Sequence, residues 1–249
     1  MFRCLLGLGL LLMTLSAAAA SETRRFYGYA FDLASDRYLY TEVHEQVIEN
    51  GRWVRGSIRY YDPDNRLIGE KSLDFSRNPT IPVYTLRLPG QGYEEGIRSV
   101  SSDLINVYKI SEGRTREKAL VNSPPMAADS GFHNLVVAEF ERLLRGETVR
   151  FTFGVAGNLD SFRFRARKEA DVSFEGRPAV RFKVEADSLL RLVAPDLTIV
   201  YDPASRQLLD YRGVSNIHDP ATGKAYNARI VYPDRPPAGA PATLPPLQP

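Results

Sequence analysis

Three histidines, thirty acidic residues and a single cysteine are the side chains of this 249-residue chain from which a catalytic or metal centre would have to be drawn. His44-Glu45-Gln46-Val47-Ile48 opens like a zinc-protease helix, but Ile48 stands where the second histidine belongs and the segment alternates like a strand. Gly213-Val214-Ser215-Asn216-Ile217 starts like a nucleophile elbow and lacks both the closing glycine and a following helix. Gly90-Gln91-Gly92-Tyr93-Glu94-Glu95-Gly96 departs by one residue from a dinucleotide fingerprint and has no strand-to-helix context, so it reads as a loop. His44, His133 and His218 fall on a strand, a helix and a turn, and nothing local couples two of them to a carboxylate as a relay requires. Glu94-Glu95 is the kind of acid pair that acid–base work uses, but convergence of acids cannot be read from one sequence. The sequence therefore nominates no catalytic residue, no metal ligand and no cofactor.

The elements that would position a site begin after residue 20. Met1-Phe2-Arg3-Cys4, an apolar run from Leu5 to Leu15 and Ser16-Ala17-Ala18-Ala19-Ala20 follow the order of a secretory signal peptide, with cleavage expected after Ala20. The apolar run is about half the roughly 20 residues that a membrane span needs. Cys4 precedes that run, so the expected mature chain has no thiol, which excludes disulfides, thiolate zinc sites and cysteine nucleophiles. Removing Arg3 with the leader leaves 31 basic and 30 acidic residues, too even a balance for nucleic acid. The expected location is the periplasm, with no transmembrane segment after cleavage.

From Phe26 onward the chain alternates apolar and polar residues between turn signals. Tyr27, Tyr29, Phe31 and Leu33 share one side of a strand, a row more often core than ligand wall. Asn50-Gly51 between two runs marks a tight hairpin. Asp-Pro corners recur at Asp62-Pro63, Asp202-Pro203 and Asp219-Pro220, where proline presets the turn and the Asp side chain bonds to the backbone beyond it. Ser161–Lys168 places Phe162, Phe164 and Ala166 on one face and Arg163, Arg165 and Arg167 on the other. That arginine row reads first as a solvated face and second as an anion-binding strip. One segment has helical spacing. Capped by Asp129 or Ser130 and stopped by Gly146, it spans about 130–145 with Phe132, Val136, Phe140, Leu143 and Leu144 on its apolar side and His133 on its polar side. Residues 233–249 contain seven prolines and read as an extended, disordered tail.

The expected architecture is mainly β: one domain over residues 21–232, a curved antiparallel sheet or half-open β-barrel with a single amphipathic helix packed on its concave face. With its leader, Asp-Pro corners and the segments Leu144–Phe151 and Leu209–Ile217, the chain resembles uncharacterised β-rich periplasmic proteins of Gram-negative bacteria of the DUF3108 family. More loosely it resembles lipoprotein carriers of the LolA type. The carrier resemblance implies a half-open barrel holding acyl chains, with Phe132, Val136 and Phe140 lining the cavity beside Phe162 and Phe164. Export and the absence of catalytic signatures lead to non-enzymatic binding of a hydrophobic or amphiphilic ligand, a lipid for instance. Two other readings stay open: an envelope protein–protein interaction module with a packed core, and a cell-wall or carbohydrate hydrolase built on converging acids or a His–acid pair.

Overall fold

The computed structural model describes residues 21–187 and 197–247, so the expected signal peptide and its cleavage point lie outside the described residues. The chain folds into one sheet of fifteen strands, antiparallel except at one end, bent into an open barrel-like form. The first eight strands are β1 (Ser21–Asp32), β2 (Tyr38–Glu49), β3 (Arg52–Tyr61), β4 (Leu67–Asp74), β5 (Val83–Leu88), β6 (Tyr93–Val100), β7 (Leu104–Ser111) and β8 (Arg114–Val121). They form a meander in which each strand pairs with the next. The second group is β9 (Met126–Ala128), β10 (Val149–Val155), β11 (Asp160–Phe174), β12 (Arg177–Ala186), β13 (Leu197–Tyr201), β14 (Leu208–His218) and β15 (Ala225–Val231). It runs the same way, and β15 joins β1 to fuse the two meanders.

Turn chemistry sets the register. Asn50 and Gly51 both take positive φ, 52° and 73°, which matches the right-handed twist of β2 and β3. The three Asp-Pro corners share a mechanism: each Asp oxygen accepts backbone N–H groups beyond the proline, as Asp62 does from Asp64 and Arg66, Asp202 from Ala204 and Ser205, and Asp219 from Ala221. Asp32 makes the same turn without a proline, accepting from Ala34 and Ser35.

The expected helix is present but broken. Helix α1 (Gly131–Ala138) and helix α2 (Phe140–Leu144) meet at Glu139, where φ −96° and ψ 8° end the first helix. The bend lets α1 pack beside β9 while α2 turns onto β11, following a curvature that a straight rod of sixteen residues could not. Its buried side chains, Leu135, Val136, Phe140 and Leu143, close a core with Phe151, Phe182, Ile199 and Tyr201 on β10 to β13. A second core fills the other end of the barrel between β2 to β7 and the β14–β15 edge, with Tyr40, Tyr60, Leu86 and Ile105 among its members.

The proline-rich segment departs from the expected free tail. Its prolines keep it out of the sheet, yet through residue 247 it lies against the outer face of β1. The Tyr27 hydroxyl donates to the Pro245 carbonyl at 2.7 Å, and the Asn65 amide donates to the Thr243 carbonyl at 2.8 Å. Leu244 and Ala240 pack on the cluster of Tyr29, Phe31 and Val231. The aromatic row of β1 is thus core, covered by the chain's own end. Turns and prolines can be ordered by tertiary contact when an apolar strip waits for them.

Gly131 begins α1 pressed against the Thr80 carbonyl, and any β-carbon there would collide with that backbone. Gly131→Ala should destabilise the protein by about 1–3 kcal/mol, read as a lower urea midpoint, because the helix or the β4–β5 connection must shift. An unchanged midpoint would show that α1 is not held against Thr80.

Candidate functional site

Between the two cores the sheet lines a half-open cavity of about 1780 Å³, which extends along β1 to the C-terminal segment. One wall is apolar and aromatic. Phe132 stacks on Phe151 with ring centroids 5.5 Å apart, Phe153 meets both Phe132 and Phe164 edge-on, and Val137, Val184 and Ile199 complete the surface. Of the five residues expected to line a ligand space, Phe132, Phe162 and Phe164 do so. Val136 and Phe140 do not. They are buried between helix and sheet, Phe140 edge-on to Phe182 at 5.4 Å, and Val137 borders the cavity instead.

The opposite wall carries buried polar groups that the sequence did not single out. Lys71 on β4 donates to both oxygens of Asp129, at 2.9 and 2.7 Å, with both side chains almost wholly removed from solvent. Asn216 on β14 donates to Asp129 at 2.6 Å, and the Ser130 amide and hydroxyl also donate to it. Asp129 is therefore the junction of β4, β14 and the start of α1, not a helix cap. Burial alone would raise its carboxyl. The charge and hydrogen bond of Lys71, joined by Ser130, hold it below the ordinary carboxylate range.

Glu95 and Glu94 point to opposite faces, so the adjacent acids do not converge. Glu94 lies outside, bonded to Arg87 and Tyr108. Glu95 lines the cavity and accepts from the Tyr93 hydroxyl at 2.5 Å and the Tyr84 hydroxyl at 3.2 Å. Burial raises its carboxyl. The Tyr93 phenol opposes that rise and the nearby Asp129 charge adds to it.

All three histidines border the cavity, contrary to the expectation of a polar helix face for His133. His44 bonds through Nε2 to Glu42 at 2.7 Å and stacks on Phe26 at 4.6 Å. A His–acid pair is thus present. Its remaining nitrogen, Nδ1, has no partner among the described residues but is buried away from solvent, so it is not presented to a molecule in the cavity. His133 stacks on Tyr201 and shares a 3.0 Å hydrogen bond between Nδ1 and the phenol. His218 meets Tyr93 edge-on at 4.5 Å. Ser215 is held by Tyr40 at 2.6 Å and is no nucleophile next to a base. Among the described residues no group of three or more His, Cys, Asp or Glu could hold a metal ion. Nor is any helix there long and apolar enough to cross a membrane, which says nothing of strands.

The mouth lies along β1. Only Tyr29–Asp32 pair with β15, so the strand's first half has a free edge, and residues of both its faces, Arg24 to Tyr27, border the cavity with Tyr232, Pro233 and Leu244. Of the arginine row of β11, Arg165 is bonded to Glu185 at 2.7 Å and Arg167 lies 3.8 Å from the same carboxylate, while Arg163 borders the cavity.

The fold has a structural likeness on record. It is similar to a β-barrel-like protein of the domain of unknown function DUF1849 from Brucella abortus. The two share 8% identity with a TM-score of 0.37 over 84% of this chain and 95% of the other. No family model matches the chain, and no curated protein matches it. The resemblance to the DUF3108 and LolA-type families is therefore without a family match.

Burial holds His133 down to about 4, with the charges of Arg24 and the His44 ring adding to the effect. The unfolded chain binds its proton near pH 6.5, so between pH 6.5 and about 4 the unfolded state holds more protons and stability falls as pH falls. The ring borders the cavity, which moderates the loss to on the order of 2 kcal/mol. Urea titrations of wild type and His133→Gln from pH 7 to 4 should show the variant losing less stability over that window. Parallel curves would refute the assignment.

Proposed function

We propose that this protein is an exported, non-enzymatic binder or carrier of an amphiphilic ligand held in the lumen of its open barrel. The observation that carries this reading is the cavity itself. Drug-sized ligands occupy pockets of roughly 300–1,000 Å³, and this one is about 1780 Å³, with an aromatic wall facing buried charged and hydroxyl groups. Eight strands make a barrel just wide enough for side chains to fill, whereas larger sheets enclose space. Fifteen strands with one short, bent helix leave such space over.

An aromatic wall favours chains and rings without fixing their identity, while the polar wall orients one end. The size of the lumen weighs against an interaction module with a filled core. The engagement of His44 Nε2 by Glu42, the burial of its Nδ1 away from solvent and the engagement of both Asp129 oxygens weigh against a hydrolase. Periplasmic location belongs to the same proposal and rests on the order of residues 1–20.

Native mass spectrometry of the purified chain from residue 21, followed by solvent extraction, should reveal a released amphiphile or restored uptake of an apolar fluorescent probe. Val137→Arg, which places a charge against the aromatic wall, should lower probe affinity at least about tenfold while circular dichroism stays β-rich. A protein that carries nothing and takes up no probe after extraction is not a carrier of this kind.

A further inference from the structure

At the polar end of the cavity, two opposite charges sit side by side without meeting. Glu95 on β6 and Lys109 on β7 are direct cross-strand partners, and both border the cavity. Cβ atoms of such partners lie about 5 Å apart, close enough for an ion pair. None forms. The Glu95 carboxylate is turned to the Tyr93 and Tyr84 hydroxyls and has no cationic partner among the described residues. The Lys109 ammonium reaches the other way, donating to the Gly157 carbonyl at 3.1 Å and resting 5.2 Å from the centre of the Tyr93 ring. That single hydrogen bond leaves two ammonium protons unassigned, and each Glu95 oxygen retains acceptor capacity. The other acids that border the lumen are already served: Asp129 by Lys71, Glu42 by His44 and Tyr232, and Asp234 by Arg177.

Gly157 forms the roof. It belongs to the turn between β10 and β11, and a β-carbon there would strike the Glu95 carboxylate and the Tyr93 hydroxyl. A bare backbone at this position lets the turn approach the carboxylate and the ammonium together.

The geometry points to a recognition site for a zwitterionic head group, with its anionic centre on Lys109 and its ammonium on Glu95, at the polar end of the proposed amphiphile lumen. A group bearing both charges on a short bridge satisfies the two side chains together. A purely anionic head leaves Glu95 buried and unmatched, and a purely cationic one leaves Lys109 so. This inference rests on the lumen reading and adds to it the class of the ligand's head.

The test uses the chain from residue 21 after solvent extraction, with dodecylphosphocholine, dodecyl sulfate and dodecyltrimethylammonium below their micellar concentrations, and free phosphocholine as a chainless control. Calorimetry or probe displacement should rank the zwitterionic amphiphile tightest by about tenfold, the worth of one charge-assisted contact. Glu95→Gln, whose oxygen accepts from one tyrosine while its amide donates to the hydroxyl of the other, should erase that preference over dodecyl sulfate. Lys109→Met should weaken both dodecylphosphocholine and dodecyl sulfate and spare the cation. Equal affinity for all three amphiphiles, unmoved by either variant, overturns the head-group site and leaves the lumen reading intact. Free phosphocholine binding as tightly as the amphiphile keeps the head-group site and overturns the lumen reading. No binding of any probe overturns both. Gly157→Ala offers a second variant outside the charged pair: it should cost zwitterion affinity at unchanged β content, and unchanged affinity counts against the site.

Discussion

The contact on which the architecture turns is the buried ion pair of Lys71 and Asp129. Two meanders joined at β1 and β15 would otherwise be free to splay, because the outermost strands, β8 and β9, do not pair with each other. Asp129 draws β4 through Lys71, β14 through Asn216 and the start of α1 through Ser130 to a single carboxylate. Such a pair adds little net stability over apolar residues of the same shape, since desolvation offsets the attraction. It does penalise every arrangement in which one partner is buried without the other. Asp129 also sits at a positive φ of 46°, a conformation that costs a non-glycine residue about a kilocalorie or more and that the surrounding bonds hold in place. The pair therefore specifies where the sheet's ends come to rest, and with that the shape of the lumen.

The seam between those ends is closed by other means than a ladder. The three-residue strand β9 runs parallel to β10, and its other side is held by Thr80, whose hydroxyl donates to the Met126 carbonyl and whose carbonyl accepts from Ala128. Lys118 reaches Asp160, and Lys109 reaches the Gly157 carbonyl, across the same gap. Short strands, covered by loops and lined by lysine, are how sheets protect edges that would otherwise recruit other chains. A barrel closed by side chains can keep a circumference that a continuous ladder of fixed shear would not allow.

Much of this was legible in the sequence because it is local. The period-two alternation of Ser161–Lys168, the Asn50-Gly51 hairpin and the Asp-Pro corners depend on neighbours within a few residues, and each behaves as its chemistry requires. The apolar stripe of 131–144 was legible too, but the bend at Glu139 was not, since it answers to the curvature of distant strands. What stayed hidden were the polar residues of the lumen. Lys71 and Asp129 are 58 positions apart, and their burial follows from topology alone. His44 and Glu42 alternate with apolar residues as surface residues do. A polar residue on an inner face carries the same pattern as one on a wet face when the interior is itself partly polar. The tail misled for the same reason: its composition describes a free chain, and only the strip of Tyr29 and Phe31 on β1 decides that it docks.

That ambiguity explains why the lumen has two characters. A sheet whose inner face were uniformly apolar would collapse on its helix and fill, as the β10–β13 wall does around Phe140 and Phe182. Charged and hydroxyl side chains at β2, β4, β6 and β14 resist such collapse, because burying them against the aromatic wall would strip hydrogen bonds that nothing there replaces. Glu95 and Glu42 thus bond to Tyr93 and His44 on their own strands, and Lys71 reaches across to Asp129, which keeps these groups hydrogen-bonded without the aromatic wall. The open volume follows from this division of the inner face and does not need loose packing anywhere in the two cores.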